Sequence, residues 1–379
     1  MSILLCSLLL TCCGKGKASE EVSAGGYTTN SLTYGHYLVF DDESKMDIHG
    51  DKKIVDIIKK GANPNIIGLK MKYLWKNLEP QEGVYDFSTI EKDLNYCKSL
   101  GRKMIVLLMD KTFNNVNLRY LPSYLDNDDT CLYIQGTTGG WTPVRWSPLY
   151  IERLDLLMKA MAQKFDLDPY FAGVSYQETA LSVPQATLTS LTASDFTPFE
   201  PYTAAKYNDA LKTIVTNTAK AFKHSAVFWQ INGQGGTNNA DLNFFKSDLQ
   251  YFIDNNYRNI VVVQNDILPY RPVVNRVGIP LNNEFKGLIP LAGTAAYSAY
   301  NTHVNDITNT PTTPPLDPVT LKGVYTSMQE IFDFATQQLY TQIIFWVYVP
   351  GTSSAHRTDP DVLKIIADNP LFNEPYQIK

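Results

Sequence analysis

Carboxylates that follow short β-rich runs are the residues of this chain best placed to do chemistry. Glu178 ends the stretch Val174-Ser175-Tyr176-Gln177, Asp110 follows Lys103–Met109, and Asp266 comes shortly after Asn259–Val263. Two such groups can divide bond cleavage between them, one giving a proton and the other attacking or activating water. Amides and aromatics stand beside them. Lys72 and Trp75 close an early run, Tyr176 and Gln177 precede Glu178, and Trp229, Gln230 and Asn232 close another run. Tyr297 and Trp346 fall near the last two runs. Amides bond hydroxyl groups, and rings stack on flat ligands such as sugars, so these nine residues form the candidate binding set. Each also has a plain structural role open to it. Asp110 can be a helix cap or a lysine partner, Asp266 a turn residue and Trp346 core.

Other chemistries find little support. The five His are scattered, and no CxxC or HExxH occurs, so no metal site is expected. Cys6, Cys12 and Cys13 crowd the amino terminus, leaving Cys97 and Cys131 in the body, too few for a disulfide framework. A net charge of -5 argues against nucleic acid as the main partner. The first β-rich run lacks a following Gly-rich turn, which counts against a dinucleotide, and no cofactor is expected. Hydrophobic residues at 44% and charged residues at 19% are a globular composition.

Strands and helices must hold these residues in place. Strand-like runs are Tyr34–Phe40, Ile66–Tyr73, Lys103–Met109, Phe171–Tyr176, Ala226–Ile231, Asn259–Val263, Leu288–Ala292 and Ile343–Val349. Helical spacing covers Lys52–Lys60, Phe87–Leu100, Ile151–Phe165, Tyr202–Phe222, Ala240–Ile253, Leu321–Leu339 and Val362–Ala367. Ser88 and Glu91 have the spacing of a capping box. The prolines of Ile267–Lys286 predict no helix there. Eight strands alternating with helices imply parallel pairing and a (β/α)8 TIM barrel, with a doubly wound sheet as the alternative. Long loops after strands three and four, Thr112–Pro148 and Thr179–Pro201, are expected to wall a groove at the carboxyl ends of the strands.

The amino terminus reads differently. Ile3–Thr11 is apolar but shorter than a membrane span, which suits a signal peptide. Leu9-Leu10-Thr11-Cys12 resembles a lipobox, which implies a possible lipid anchor at Cys12. The expected organisation is a signal or lipoprotein segment over 1–13, a flexible tether over 14–30 and one barrel domain over 31–379. The expected location is outside the cytoplasm, in a bacterial cell envelope or the medium.

Tyr73-Leu74-Trp75-Lys76-Asn77-Leu78-Glu79-Pro80 followed by Glu82-Gly83-Val84-Tyr85-Asp86-Phe87 resembles the W-x-x-L-E-P-x-x-G-x-Y-D-F segment of retaining glycoside hydrolases of the large (β/α)8 clan. That clan includes β-galactosidases, xylanases and cellulases. Val174–Ala180 (VSYQETA) resembles the strand-four end that carries the clan's acid/base Glu, with Gln177 in place of an Asn. The resemblance implies that Glu178 is the proton donor, that Trp346 is a sugar platform and that Lys72 replaces an Arg near the nucleophile. It also implies a carbohydrate substrate. The clan's nucleophile, a Glu ending strand seven, has no counterpart in Leu288–Tyr297. Asp266 is the closest substitute and Asp110 the reserve. A carboxyl near aromatics at such a mouth is poorly solvated, which suits an acid. The alternative reading is a glycan-binding surface lipoprotein on a degenerate barrel.

Overall fold

The computed structural model describes residues 32–40, 56–59, 61–112, 117–126, 131–134, 139–183, 201–233, 240–265, 267, 274–295, 328–348 and 359–370. The amino-terminal segment with Cys12, most of the loop after strand four, Asp266 and Tyr297 lie outside the described residues.

Ten strands are described: β1 Gly35–Phe40, β2 Ile66–Leu74, β3 Lys103–Met109, β4 Cys131–Ile134, β5 Gly140–Pro143, β6 Phe171–Tyr176, β7 Ala226–Ile231, β8 Ile260–Gln264, β9 Leu291–Ala295 and β10 Ile343–Tyr348. Eight close into a parallel barrel in the order β1-β10-β9-β8-β7-β6-β3-β2, and β4 and β5 form an antiparallel hairpin in the long loop after β3. The helices are α1 Trp75–Leu78, α2 Ser88–Ser99, α3 Pro148–Phe165, α4 Ala204–Ala221, α5 Ala240–Asp254, α6 Ile279–Phe285, α7 Met328–Asp333 and α8 Asp359–Asp368. This is a (β/α)8 TIM barrel.

Strand alternation gives the barrel two linings. Tyr37, Val39, Ile105, Phe228, Val261, Val263, Ile343 and Phe345 pack inside it. Leu38, Leu69, Val106, Val174, Val227, Val262 and Ile344 face the helices in a larger cluster. Gly173 sits where β6 slips by one residue against β3. Its φ is +146°, and a Cβ there would lie 1.9 Å from the Ala226 carbonyl oxygen, so only glycine fits. The slip fixes how the end of β6 meets β3 and β7.

Several elements differ from the sequence expectation for identifiable reasons. The seventh barrel strand begins at Leu291 instead of Leu288. The Leu288 and Ile289 N–H groups turn back to the Phe285 carbonyl, and Pro290 has no N–H to pair. A helix, α6, stands where prolines predicted none. Pro280 occupies its first turn, where a missing N–H does no harm, while Leu281 and Phe285 are buried. Ser88 and Glu91 form no capping box. Helix α2 has Phe87 as its cap residue, and the Ser88 N–H is received by the Asp86 carboxylate at 2.9 Å. Within Leu321–Leu339, the described part is α7 followed by one π-turn, Phe334–Gln338.

Candidate active site

The carboxyl ends of β2, β3, β6, β7 and β8 bring together a polar group at one barrel mouth. Gln177 leads out of β6 and is nearly buried. Its Oε1 accepts the Asp110 and Lys111 N–H groups, both at 2.7 Å, and its Nε2 donates to the Lys111 carbonyl at 3.0 Å. Gln177 therefore clamps the end of β3 to β6. That is its work here, in place of the hydroxyl binding expected of it. Thr179 ties β6 to β7 in the same way. Its Oγ1 donates to the Asn232 carbonyl at 2.6 Å and accepts the Asn232 N–H at 2.8 Å.

Between these two clamps stands Glu178, with 13% of its side chain exposed. Its Oε1 pairs with the buried Lys111 Nζ at 3.2 Å. Its Oε2 accepts Asn232 Nδ2 at 2.6 Å and also Asn265 Nδ2. A chain of donors runs to it from inside the barrel. Lys70 Nζ donates to Gln230 Oε1 at 3.0 Å, and Gln230 Nε2 donates to Asn265 Oδ1 at 2.7 Å. Aligned hydrogen bonds of this kind polarise one another. Lys70 also lies 4.5 Å from the Phe345 ring centroid. Burial, reinforced by the neighbouring Lys72 charge, lowers the Lys70 ammonium to about 7. Burial lowers Lys111 to about 8, against the opposite pull of Glu178. Lys72 is buried, inward-facing and beside Lys70.

Asp110 does not join this group. Its carboxylate takes both arms of Arg145, Nε at 3.0 Å and Nη2 at 2.9 Å, together with the Tyr150 hydroxyl at 2.6 Å. Burial pushes its pKa up, but Arg145 and Tyr150 outweigh this and hold it below the usual carboxylate range. Arg145 Nη1 in turn grips the Glu178 carbonyl at 2.7 Å. Asp110 is thus a structural anchor for the β6 end, and the reserve catalytic role falls away.

The aromatic platforms also move. Trp75, Trp229 and Trp346 have relative exposures of 0%, 2% and 0%, and all lie in the layer between strands and helices. A ring without exposed surface offers no face to a sugar. Trp75 packs edge-on against Tyr150, Trp229 against Phe245 and Phe252, and Trp346 donates to His36 Nδ1 at 2.9 Å. Tyr176 also faces outward and shares a hydrogen bond with Thr218. The expected stacking role of these four residues is therefore replaced by packing. Glu79 of the W-x-x-L-E-P segment is a buried brace. It accepts Trp75 Nε1 and the Gly83 N–H, both at 2.9 Å, and pairs with Arg153. The segment's long spacing thus has a structural cause.

Of the expected residues, Glu178 and Asn232 are in contact, Gln230 joins them through Asn265, and Lys72 neighbours Lys70. Lys70, Lys111, Asn265 and Arg145 belong with them and were not among the expected site residues. Lys70 shares the inward parity of Lys72, which was the available signal. Among the described residues no cluster of His, Cys, Asp and Glu is arranged to hold a metal ion.

No protein family and no curated protein matches the sequence. The fold does match solved structures. A β-galactosidase from Marinomonas ef1 superposes with a TM-score of 0.52 at 11% identity, over 89% of this chain and 59% of that one. A cold-adapted β-galactosidase from Rahnella sp. R3 gives 0.51 at 12%, over 93% and 58%. Endo-glycoceramidase II from Rhodococcus sp. gives 0.50 at 10%, over 89% and 79%. At such identities the likeness is one of fold: a barrel that these glycoside hydrolases share.

Proposed function

We propose that this chain is a glycoside hydrolase acting on an oligo- or polysaccharide, with Glu178 as its proton donor. The supporting observation is the placement of Glu178 at the carboxyl-end mouth, partly open and held by Lys111, Asn232 and Asn265. Barrel chemistry occurs at that face. Glycosidic cleavage needs a second group to attack or to activate water. Asp266 is assigned that role because it follows Asn265, whose amide touches Glu178. Lys72, Asn232 and Tyr297 are proposed to bond the sugar. We also propose that the chain is exported, with the apolar run before Cys12 as the signal and Cys12 as the site of a lipid anchor. Fractionation of the full chain and of Cys12→Ser tests this, and finding both in the cytoplasm refutes it.

The decisive experiment is Glu178→Gln assayed by reducing-sugar release on a polysaccharide panel. Turnover per folded molecule should fall about 10²- to 10⁴-fold, the range for losing a general acid. The loss should shrink on activated aryl glycosides, whose leaving group needs no proton. Turnover by the variant that stays nearly equal to that of the unaltered chain on both substrate types would remove Glu178 from the chemistry. A second reading is favoured by one observation: β9 ends Thr294-Ala295, without a carboxylate. On that reading the chain binds glycans without cleaving them. Binding without sugar release by the unaltered chain would select it.

A further inference from the structure

An open cavity of about 460 Å³ lies away from Glu178, between α1 and the loop 117–126. Its size falls within the roughly 300–1,000 Å³ of small-ligand sites. Its walls carry Lys76, Asn77, Asn117, Arg119, Ser123 and Asp126, so the lining is polar, with two cations against one carboxylate. That local excess of positive charge stands out in a chain whose net charge is -5.

The cavity is a built feature and not a gap between loose segments. Lys76 N–H donates to the Tyr120 carbonyl at 2.9 Å, which joins its two walls. Tyr120 is buried against Leu107 and Met109 of β3. Arg119 is fixed on two sides. Its Nη1 donates to Asp126 at 2.8 Å, and its guanidinium lies 3.6 Å from the centroid of the Trp141 ring. A guanidinium held by an acid at one edge and an aromatic at one face loses little freedom on meeting an anion, and its planar fork suits a carboxylate or sulfate. Both walls come from βα connections, so the cavity opens on the same barrel face as Glu178.

We infer that this cavity is a subsite for an anionic sugar residue, a ring bearing a carboxylate or a sulfate, held by Arg119 and Lys76. This rests on the carbohydrate reading of the Glu178 site and adds the charge class of the ligand to it. Neither residue belongs to the proposed catalytic group.

Calorimetry on the full chain tests it with three oligosaccharides of equal length: a hexuronate, a sulfated neutral sugar and the same sugar without sulfate. At low salt, at least one charged ligand should bind about tenfold or more tightly than the neutral one, and the gap should narrow at high salt. Which charged ligand wins distinguishes carboxylate from sulfate. Arg119→Ala should weaken the charged ligand about 10- to 100-fold, as expected for losing a charge-assisted hydrogen bond, and leave the neutral one unchanged. Arg119→Lys and Lys76→Gln, which keep more of the wall intact, should each narrow the gap. Equal affinity for charged and neutral ligands, or a gap that all three variants leave unchanged, overturns the subsite and leaves the glycosidase reading standing. Failure to bind or cleave any glycan overturns both.

Discussion

The same eight strands build two linings of opposite chemistry. On the helix side of β7 and β10, Val227, Trp229, Ile231, Ile344 and Trp346 join a continuous apolar cluster. On the inner side, Phe228 and Phe345 give way toward the mouth to Gln230 and Asn232, linked to Lys70, Asn265 and Glu178. One residue of register separates a tryptophan from the amide next to it. The outer lining tolerates any close-packed apolar set, whereas the inner one works only if each donor finds its acceptor. The large aromatics are therefore scaffold, and the small polar residues line the candidate site.

The sharpest way to break this contrast is Trp346→Ala. If the ring belongs to the outer lining, its truncation should destabilise the fold by about 3–5 kcal/mol. Urea unfolding measures this. Glycan affinity per folded molecule should stay unchanged. A weakened affinity with an unchanged midpoint would return Trp346 to the binding surface.

Much of this architecture was legible in the sequence. Lys103–Met109, Phe171–Tyr176 and Ala226–Ile231 have the same bounds in the structure as in the sequence expectation, because each is a short buried run closed by polar residues. Glu178 was legible as well, since it ends such a run. The orientation of the aromatics was not. Residue type marks Trp229 and Trp346 as sugar platforms, but parity decides, and Phe345 and Gln230 occupy the inward positions beside them. Asp110 was misread because its partners, Arg145 and Tyr150, lie 35 and 40 residues away in the chain. Helix α6 was missed because proline reads as a breaker until its place in the first turn is known.

A smaller effect separates the linings by pH. His36 lies on the helix side, where its Nδ1 accepts from Trp346 and its Nε2 meets the Asn369 carbonyl at 2.7 Å. With Nδ1 accepting, the ring is neutral and Nε2 carries the proton. Burial lowers its pKa from 6.5 to about 4, against the upward pull of the Asn369 carbonyl. A base whose folded value lies below its unfolded one gives its full stability above the unfolded value. Stability then falls as pH drops from about 6.5 toward 4, by roughly 3 kcal/mol from this group. The His36 ring protons followed by NMR should titrate well below the ordinary histidine range. A midpoint near 6.5 would place the ring in water and unmake the outer lining at this point.

The smallest expected effect compares two tryptophans within the outer lining. Trp346 gives its indole N–H to His36 at 2.9 Å, whereas Trp229 Nε1 is buried with no hydrogen-bond partner among the described residues. Replacing each by Phe removes one ring and one N–H, so the volume lost is the same. At Trp346 the change also leaves a buried acceptor unpaired, a penalty of about 1–3 kcal/mol. At Trp229 it removes a donor that was unpaired already, and this gain offsets part of the lost packing against Phe245 and Phe252. Trp229→Phe should therefore cost at least about 1 kcal/mol less than Trp346→Phe in paired urea titrations. Equal losses would mean that volume alone sets the outer lining, and that the bond to His36 contributes nothing to it.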